Sequence, residues 1–176
     1  MSSIAVINAG SSSIKFAVFH SDSISLLLRG QIEGIGTTPR AKLSDPGGKL
    51  LVEESFEDKN FDHAAATQAM MRIGAQWLGG RVISAVGHRV VHGGAEYSAP
   101  LLVTDQVIDM LATLIPLAPL HQPHNLAPIR AILASHLSLP QVACFDTAFH
   151  RNQSPVAQAF AIPRKYSPLR LPWYLL

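Results

Sequence analysis

The apolar and polar positions change period near residue 60. Upstream, short β-branched runs are separated by turn residues. Ile4 to Asn8, Ile14 to Phe19, Ile24 to Ile32 and Lys49 to Phe56 each predict a strand, with Pro39 to Gly48 as a loop between the last two. Consecutive strands of this kind form an antiparallel meander. Downstream, Ala66, Met70, Ile73 and Trp77 share one helical face. The spacing predicts a helix over 60–77, capped by Asn60 and stopped by Gly79-Gly80.

Val82 to Val91 returns to a strand pattern. Thr104 to Leu114 predicts a helix with Thr104 as N-cap and Asp105 in the first turn. Pro116, Pro119 and Pro123 predict an irregular loop, followed by a helix from Asn125 to Leu137 in which Pro128 sits early enough to be tolerated. Gln141 to Phe145 predicts a buried strand ending at Asp146. Strands first, then alternating helix and strand, indicate an α/β domain: a mixed β-sheet with helices packed on it.

Composition narrows the classes. The chain has 176 residues, 48% of them hydrophobic and 15% charged, the balance of a folded domain and not of a disordered segment. Fourteen basic and 12 acidic residues leave a net charge of +2 with no basic stripe, which argues against a nucleic-acid partner. Cys144 is the single cysteine, so no intrachain disulfide forms. It reads as an inert buried residue in a reducing interior. The start, MSSIAVINAGSS, lacks the basic and apolar regions of a secretory signal. The longest apolar stretch, Met110 to Leu120, holds two prolines and is too short to span a bilayer. The expectation is a soluble, cytoplasmic protein without a membrane partner.

Four clusters carry candidate chemistry. Asn8-Ala9-Gly10-Ser11-Ser12-Ser13-Ile14-Lys15 lies between two predicted strands. Gly10 permits tight geometry and close ligand approach, while amides, hydroxyls and the Lys15 charge can converge on an anion. Neither GxxxxGK[ST] nor GxGxxG is present, and an ordinary Ser-rich hairpin turn is the competing reading. In Gly87 to Gly94 (GHRVVHGG), strand geometry puts Arg89 and Val91 on one face and His88, Val90 and His92 on the other. The Arg89 fork suits a carboxylate or phosphate and Val91 the apolar end of a short acid. His88 and His92 read as satisfied core histidines in preference to metal ligands. In Ala118 to Asn125 (APLHQPHN) the prolines stiffen a loop that holds His121 toward a phosphoryl oxygen, unless His121 or His124 merely caps the following helix. In Ala143 to His150 (ACFDTAFH), Asp146 follows a strand end, where it either serves a cleft as metal ligand or base or is a helix cap or loop carboxylate.

NAGSSSIKF, GHRVVHGG, APLHQPHN and ACFDTAFH, in this order and spacing, resemble the acetate kinase family. The resemblance runs from Ile4 to Pro163. It implies a ribonuclease-H-like domain of the actin-like ATPase superfamily and transfer of phosphate between ATP and acetate, giving ADP and acetyl phosphate with Mg²⁺. It also implies roles by position. Asn8 contacts Mg²⁺ and the nucleotide phosphates. Ser11, Ser13 and Lys15 line the phosphate turn. Arg89 binds the substrate carboxylate and the moving phosphoryl group. Val91 and Leu120 line the methyl pocket. His121 contacts the phosphoryl group, and Asp146 is the catalytic acidic residue. Gln122 stands where the family usually has Asn, with little effect expected.

The resemblance places an N-terminal acetate-kinase-like domain at 1–163 and a tail unlike the family at 164–176. A frameshift, premature stop or artificial truncation is the expected cause of that tail. The family's C-terminal domain, with a second histidine, a second arginine, a metal-associated glutamate and the adenosine pocket, is absent from the sequence. An incomplete, inactive or weakly active fragment is therefore expected. A propionate or butyrate kinase, a non-catalytic binding subunit and a homodimer remain open alternatives.

Overall fold

The computed structural model describes residues 1–94, 96–150, 154 and 156; the tail at 164–176 lies outside the described residues. The first five strands are β1 (Ser2–Ala9), β2 (Ser13–His20), β3 (Leu26–Glu33), β4 (Arg40–Ser44) and β5 (Leu50–Ser55). They are followed by helix α1 (His63–Trp77), β6 (Val82–Val90), the short β7 (Leu101–Leu102), α2 (Asp105–Thr113), α3 (Gln122–Ser135) and β8 (Gln141–Phe145). Among the described residues these strands form one sheet in the order β5-β4-β3-β2-β1-β6-β8-β7. The pairs from β5 to β1 are antiparallel, β1–β6 and β6–β8 parallel, and β8–β7 antiparallel. The mixed sheet expected from the sequence is present.

Several boundaries differ from the sequence expectation. β4 occupies part of the expected loop. Ala41 and Leu43 are buried there between polar neighbours, a period-2 signal obscured by Pro39 and by the Asp45-Pro46-Gly47-Gly48 turn. The cap of α1 is Asp62, not Asn60: the Asp62 carboxylate accepts from the Ala65 amide at 2.9 Å. Gly79 and Gly80, at φ 58° and 79°, end that helix as expected. Trp77, expected on the buried face, is exposed, and Leu78 is buried just beyond it. Thr104 caps α2 through the Val107 amide. α3 begins at Gln122 with Pro123 in its first turn, so Pro128 lies inside the helix and leaves the His124 carbonyl without its usual N–H partner.

Both long helices cover the same face of the sheet. α1 packs over β2, β3 and β4, α3 over β1 and β6, and the two touch each other. One core joins Ile7, Ile14, Phe16, Ile32 and Leu43 to Ala66, Met70 and Ile73; a second joins Val90, Ala143 and Phe145 to Ile108, Leu111, Leu126 and Ile129. Because strand side chains alternate, Asn8, Lys15 and Arg89 fall on the other face. There the Cα partners Glu53, Lys42, Gln31, Lys15, Asn8, Arg89 and Cys144 form one lateral row from β5 to β8. Cross-strand neighbours are side by side at about 5 Å, so this is a continuous polar band. Cys144, expected buried, is exposed because it belongs to this row.

Candidate active site

Three of the sequence-predicted residues meet directly. Arg89 Nε donates to both carboxylate oxygens of Asp146 at 2.9 Å, and Nη2 donates to Oδ2 at 2.6 Å. Nη1 donates to Asn8 Oδ1 at 3.2 Å. The parallel β1–β6 and β6–β8 pairings cause this convergence, since Asn8 is in register with Arg89, and Asp146 is one residue past the Val90–Phe145 pair. The hydrogen bond to Asp146 raises the Arg89 pKa against a smaller opposing effect of burial, so the guanidinium stays charged. Unused N–H groups on Nη1 and Nη2 can still face an anion.

Lys15 stands beside Asn8 in the row, which sets a second cation next to the Arg89 group. The Gly-Ser turn closes the β1–β2 hairpin through a Gly10 N–H to Ser13 O bond of 2.8 Å. Ser11 is exposed and Ser13 half-buried, and the hydroxyls of Ser11, Ser12 and Ser13 have no partner among the described residues. Gly10 does not take a positive φ, and a Cβ there would meet nothing closer than 3.8 Å, so the hairpin does not demand glycine for its own geometry. Close approach of a ligand remains a reason for it.

His121 occupies the N-cap position of α3 without a side-chain capping bond, and no side-chain bond joins it to Arg89 or Asp146 among the described residues. Leu120 is 73% exposed and Val91 half-buried, and the strand ends before Val91, at Val90. His124 does not cap the helix; its ring stacks on His63 with centroids 4.6 Å apart. Burial first, then the nearby His63 and His121, lowers the His124 pKa. His63, which drew no attention in the sequence, lies with Nε2 at 2.7 Å from the Gly10 carbonyl, so Nε2 must carry the proton. It ties α1 to the Gly-Ser turn.

His88 and His92 are core histidines, each 2% exposed. His88 Nε2 is 2.7 Å from Gln141 Oε1, while Nδ1 has no partner among the described residues. Burial lowers its pKa to about 4. His92 Nδ1 accepts from the Gly94 amide at 2.8 Å, and burial lowers its pKa as well. Among the described residues no group of three or more His, Cys, Asp or Glu side chains could hold a metal. Asn8 and Asp146 nevertheless offer hard oxygen donors on either side of one guanidinium, Asn8 at Nη1 and Asp146 at Nε and Nη2. That suits Mg²⁺, which commonly takes one or two protein oxygens and completes its shell with water and substrate phosphate. An apolar cavity of about 1190 Å³ lies elsewhere, lined by the end of α1, the start of β6 and the α3–β8 connection, and none of the site residues above line it.

The pattern of the acetokinase family matches residues 3–170. The chain belongs to the acetokinase family. Its acetokinase relatives include the acetate kinase of Nitrobacter hamburgensis, 46% identical over 94% of this chain and 42% of that protein. The acetate kinase of Rhizobium meliloti is 44% identical over 94% of this chain and 43% of that protein. The crystal structure of Porphyromonas gingivalis acetate kinase superposes with a TM-score of 0.83 at 31% identity, covering 96% of this chain and 43% of that one. A propionate kinase from Francisella tularensis gives 0.78 at 32% identity, over 95% and 42%. The chain thus spans a little over two-fifths of the length of these acetokinase relatives, and the fold is that of the actin-like ATPases. No helix among the described residues is long and apolar enough to cross a membrane.

Proposed function

We propose that the chain supplies the phosphate turn and the carboxylate-handling residues of a cytoplasmic, ATP-dependent acetate kinase. The observation that carries this reading is the contact of Asn8, Arg89 and Asp146 beside the Gly-Ser turn. In the reaction, a carboxylate oxygen of acetate attacks the γ-phosphorus of ATP in line. The new O–P bond gives acetyl phosphate, and the bridging P–O bond breaks with its electron pair leaving on ADP. Acetate is already nucleophilic, so no strong base is needed. Positioning and charge neutralisation do the catalysis.

Arg89 is assigned the acetate carboxylate and the equatorial phosphoryl oxygens, with His121 as a further donor. Asp146 orients Arg89 and, with Asn8, would hold Mg²⁺, which supplies charge neutralisation on the phosphates. Ser11, Ser13 and Lys15 are assigned the phosphate chain. Val91 and Leu120 are assigned the methyl end. That apolar end decides between acetate and propionate, and the similarity to a propionate kinase structure keeps the longer acid as a second reading.

Acetyl phosphate is the probe. Its ³¹P resonance should broaden on adding the chain and stay sharp with Arg89→Ala; no broadening, or equal broadening with the variant, removes the reading. Because the relatives are more than twice as long, a coupled assay of this chain with ATP, Mg²⁺ and acetate should show negligible turnover beside theirs. A propionate and butyrate series in the ³¹P experiment separates the two substrate readings.

A further inference from the structure

The two strands that bear Asn8 and Arg89 are paired up to those residues, and one step further on they are joined by a side chain. The Asn125 amide donates through Nδ2 to the Ala9 carbonyl at 2.6 Å, and its Oδ1 accepts from the Val91 amide at 2.9 Å. A carboxamide has the donor and acceptor of a peptide unit. Asn125 therefore takes the place of a backbone group between the ends of β1 and β6, where no strand enters. It is only 4% exposed. One helical turn earlier, the fully buried Gln122 does the same for the next residue. Its Oε1 accepts from the His92 amide at 3.3 Å, and its Nε2 donates to the His92 carbonyl at 3.0 Å and to the Leu111 carbonyl at 3.2 Å.

We propose that Asn125, backed by Gln122, is the positioning residue that sets the separation of the Asn8 strand end from the Arg89 strand end. It also fixes both against the start of α3, where His121 stands. Neither amide touches a reacting group. Each acts through main chain, Asn125 one residue beyond Asn8 and two beyond Arg89. The buried amides hold a gap, since without them Ala9 O, Val91 N and His92 N would lie unpaired in a dry interior, which is costly. The consequence for phosphate binding rests on the function proposed above; the consequence for Arg89 does not.

The test uses the whole chain with ¹⁵N-labelled arginine and inorganic phosphate as ligand. In Asn125→Ala the Arg89 Nε–H resonance should move toward that of solvated arginines, and phosphate affinity should fall about tenfold, the worth of one hydrogen bond to a charged group. Ile132→Val, a destabilising change in the core of the same helix, should lower the melting temperature and move neither readout. Asn125→Asp keeps the acceptor but not the donor. Its Arg89 resonance should be displaced at pH 8 and return as acid restores a proton that can reach Ala9 O.

An Arg89 resonance unmoved in folded Asn125→Ala overturns the proposal. If it moves but the unaltered chain binds no phosphate, positioning stands and the phosphoryl reading falls. If neither variant folds, amide exchange in the unaltered chain decides. Val91 and His92 amides protected like that of Val90 support the proposal, and amides exchanging like open loop positions reject it.

Discussion

Arg89 grips Asp146 through three contacts of 2.6 to 2.9 Å, although the two side chains are 52% and 40% exposed. Such a pair contributes little to folding, about 0–1 kcal/mol, because water and salt screen it. Its value is geometric: the carboxylate fixes the plane of the guanidinium. Asp146→Asn should therefore leave the urea midpoint nearly unchanged. In metal-free buffer it should tighten inorganic phosphate binding, since a competing anion has gone. In a full-length relative the same change should slow transfer on the order of a hundredfold. Calorimetry and a coupled assay read the two effects, and a large stability loss would show that the pair is structural.

Acid should destabilise the chain through His88. The unfolded imidazole takes up a proton near pH 6.5, the folded one only near 4. Between these values the unfolded state binds more protons, so stability is full above about pH 6.5 and falls as the pH drops toward 4. The shift corresponds to a loss of about 3 kcal/mol. Burial lowers the pKa of His92 and His124 in the same direction. Urea unfolding at pH 7 and at pH 4.5 checks this. His88→Gln should flatten the difference, and an unchanged slope in that variant would clear His88 of the effect.

Two glycines near the site should respond oppositely to a methyl group. A Cβ on Gly93 would sit 2.7 Å from Phe145 Cγ and 2.8 Å from the Tyr97 carbonyl, whereas on Gly10 it would meet nothing nearer than 3.8 Å. Gly93→Ala should cost about 1–3 kcal/mol by overpacking. Gly10→Ala should leave the melting temperature unaltered and weaken only acetyl phosphate binding. A Gly10→Ala variant that binds as before would mean the turn does not approach the ligand.

The His63 ring should steady the Gly-Ser turn. His63→Phe retains an aromatic ring against His124 but loses the bond to the Gly10 carbonyl. It should cost about 1 kcal/mol and speed amide exchange at Gly10. Unchanged exchange there would mean that the hairpin holds itself.

The sheet class and most strands are readable in the chain because alternation and β-branching report a half-buried pleat. β4 was hidden by flanking Pro39 and Pro46, and the start of α3 by the assumption that Pro123 belonged to a loop. The Asn8, Arg89 and Asp146 meeting was suggested by strand ends and by family motifs, and the parallel register realises it. Asn125 and His63 were invisible as functional candidates. Their partners are the main-chain groups of Ala9, Val91 and Gly10, which leave no mark in side-chain pattern. Cys144 was misplaced because an apolar strand was assumed to be covered on both faces, while the helices cover one.

The parallel β1–β6 pairing joins residues 81 positions apart, whereas β1 to β5 are linked by neighbouring hairpins. Nearby segments find each other before distant ones, because closing a long loop costs chain entropy before any contact rewards it. During synthesis the whole meander, ending at Ser55, is made before Arg89 has been added. Asn8 must therefore wait, solvated and without its partner, until β6 slots in beside it, which makes the chemistry of this fold a late product of its assembly.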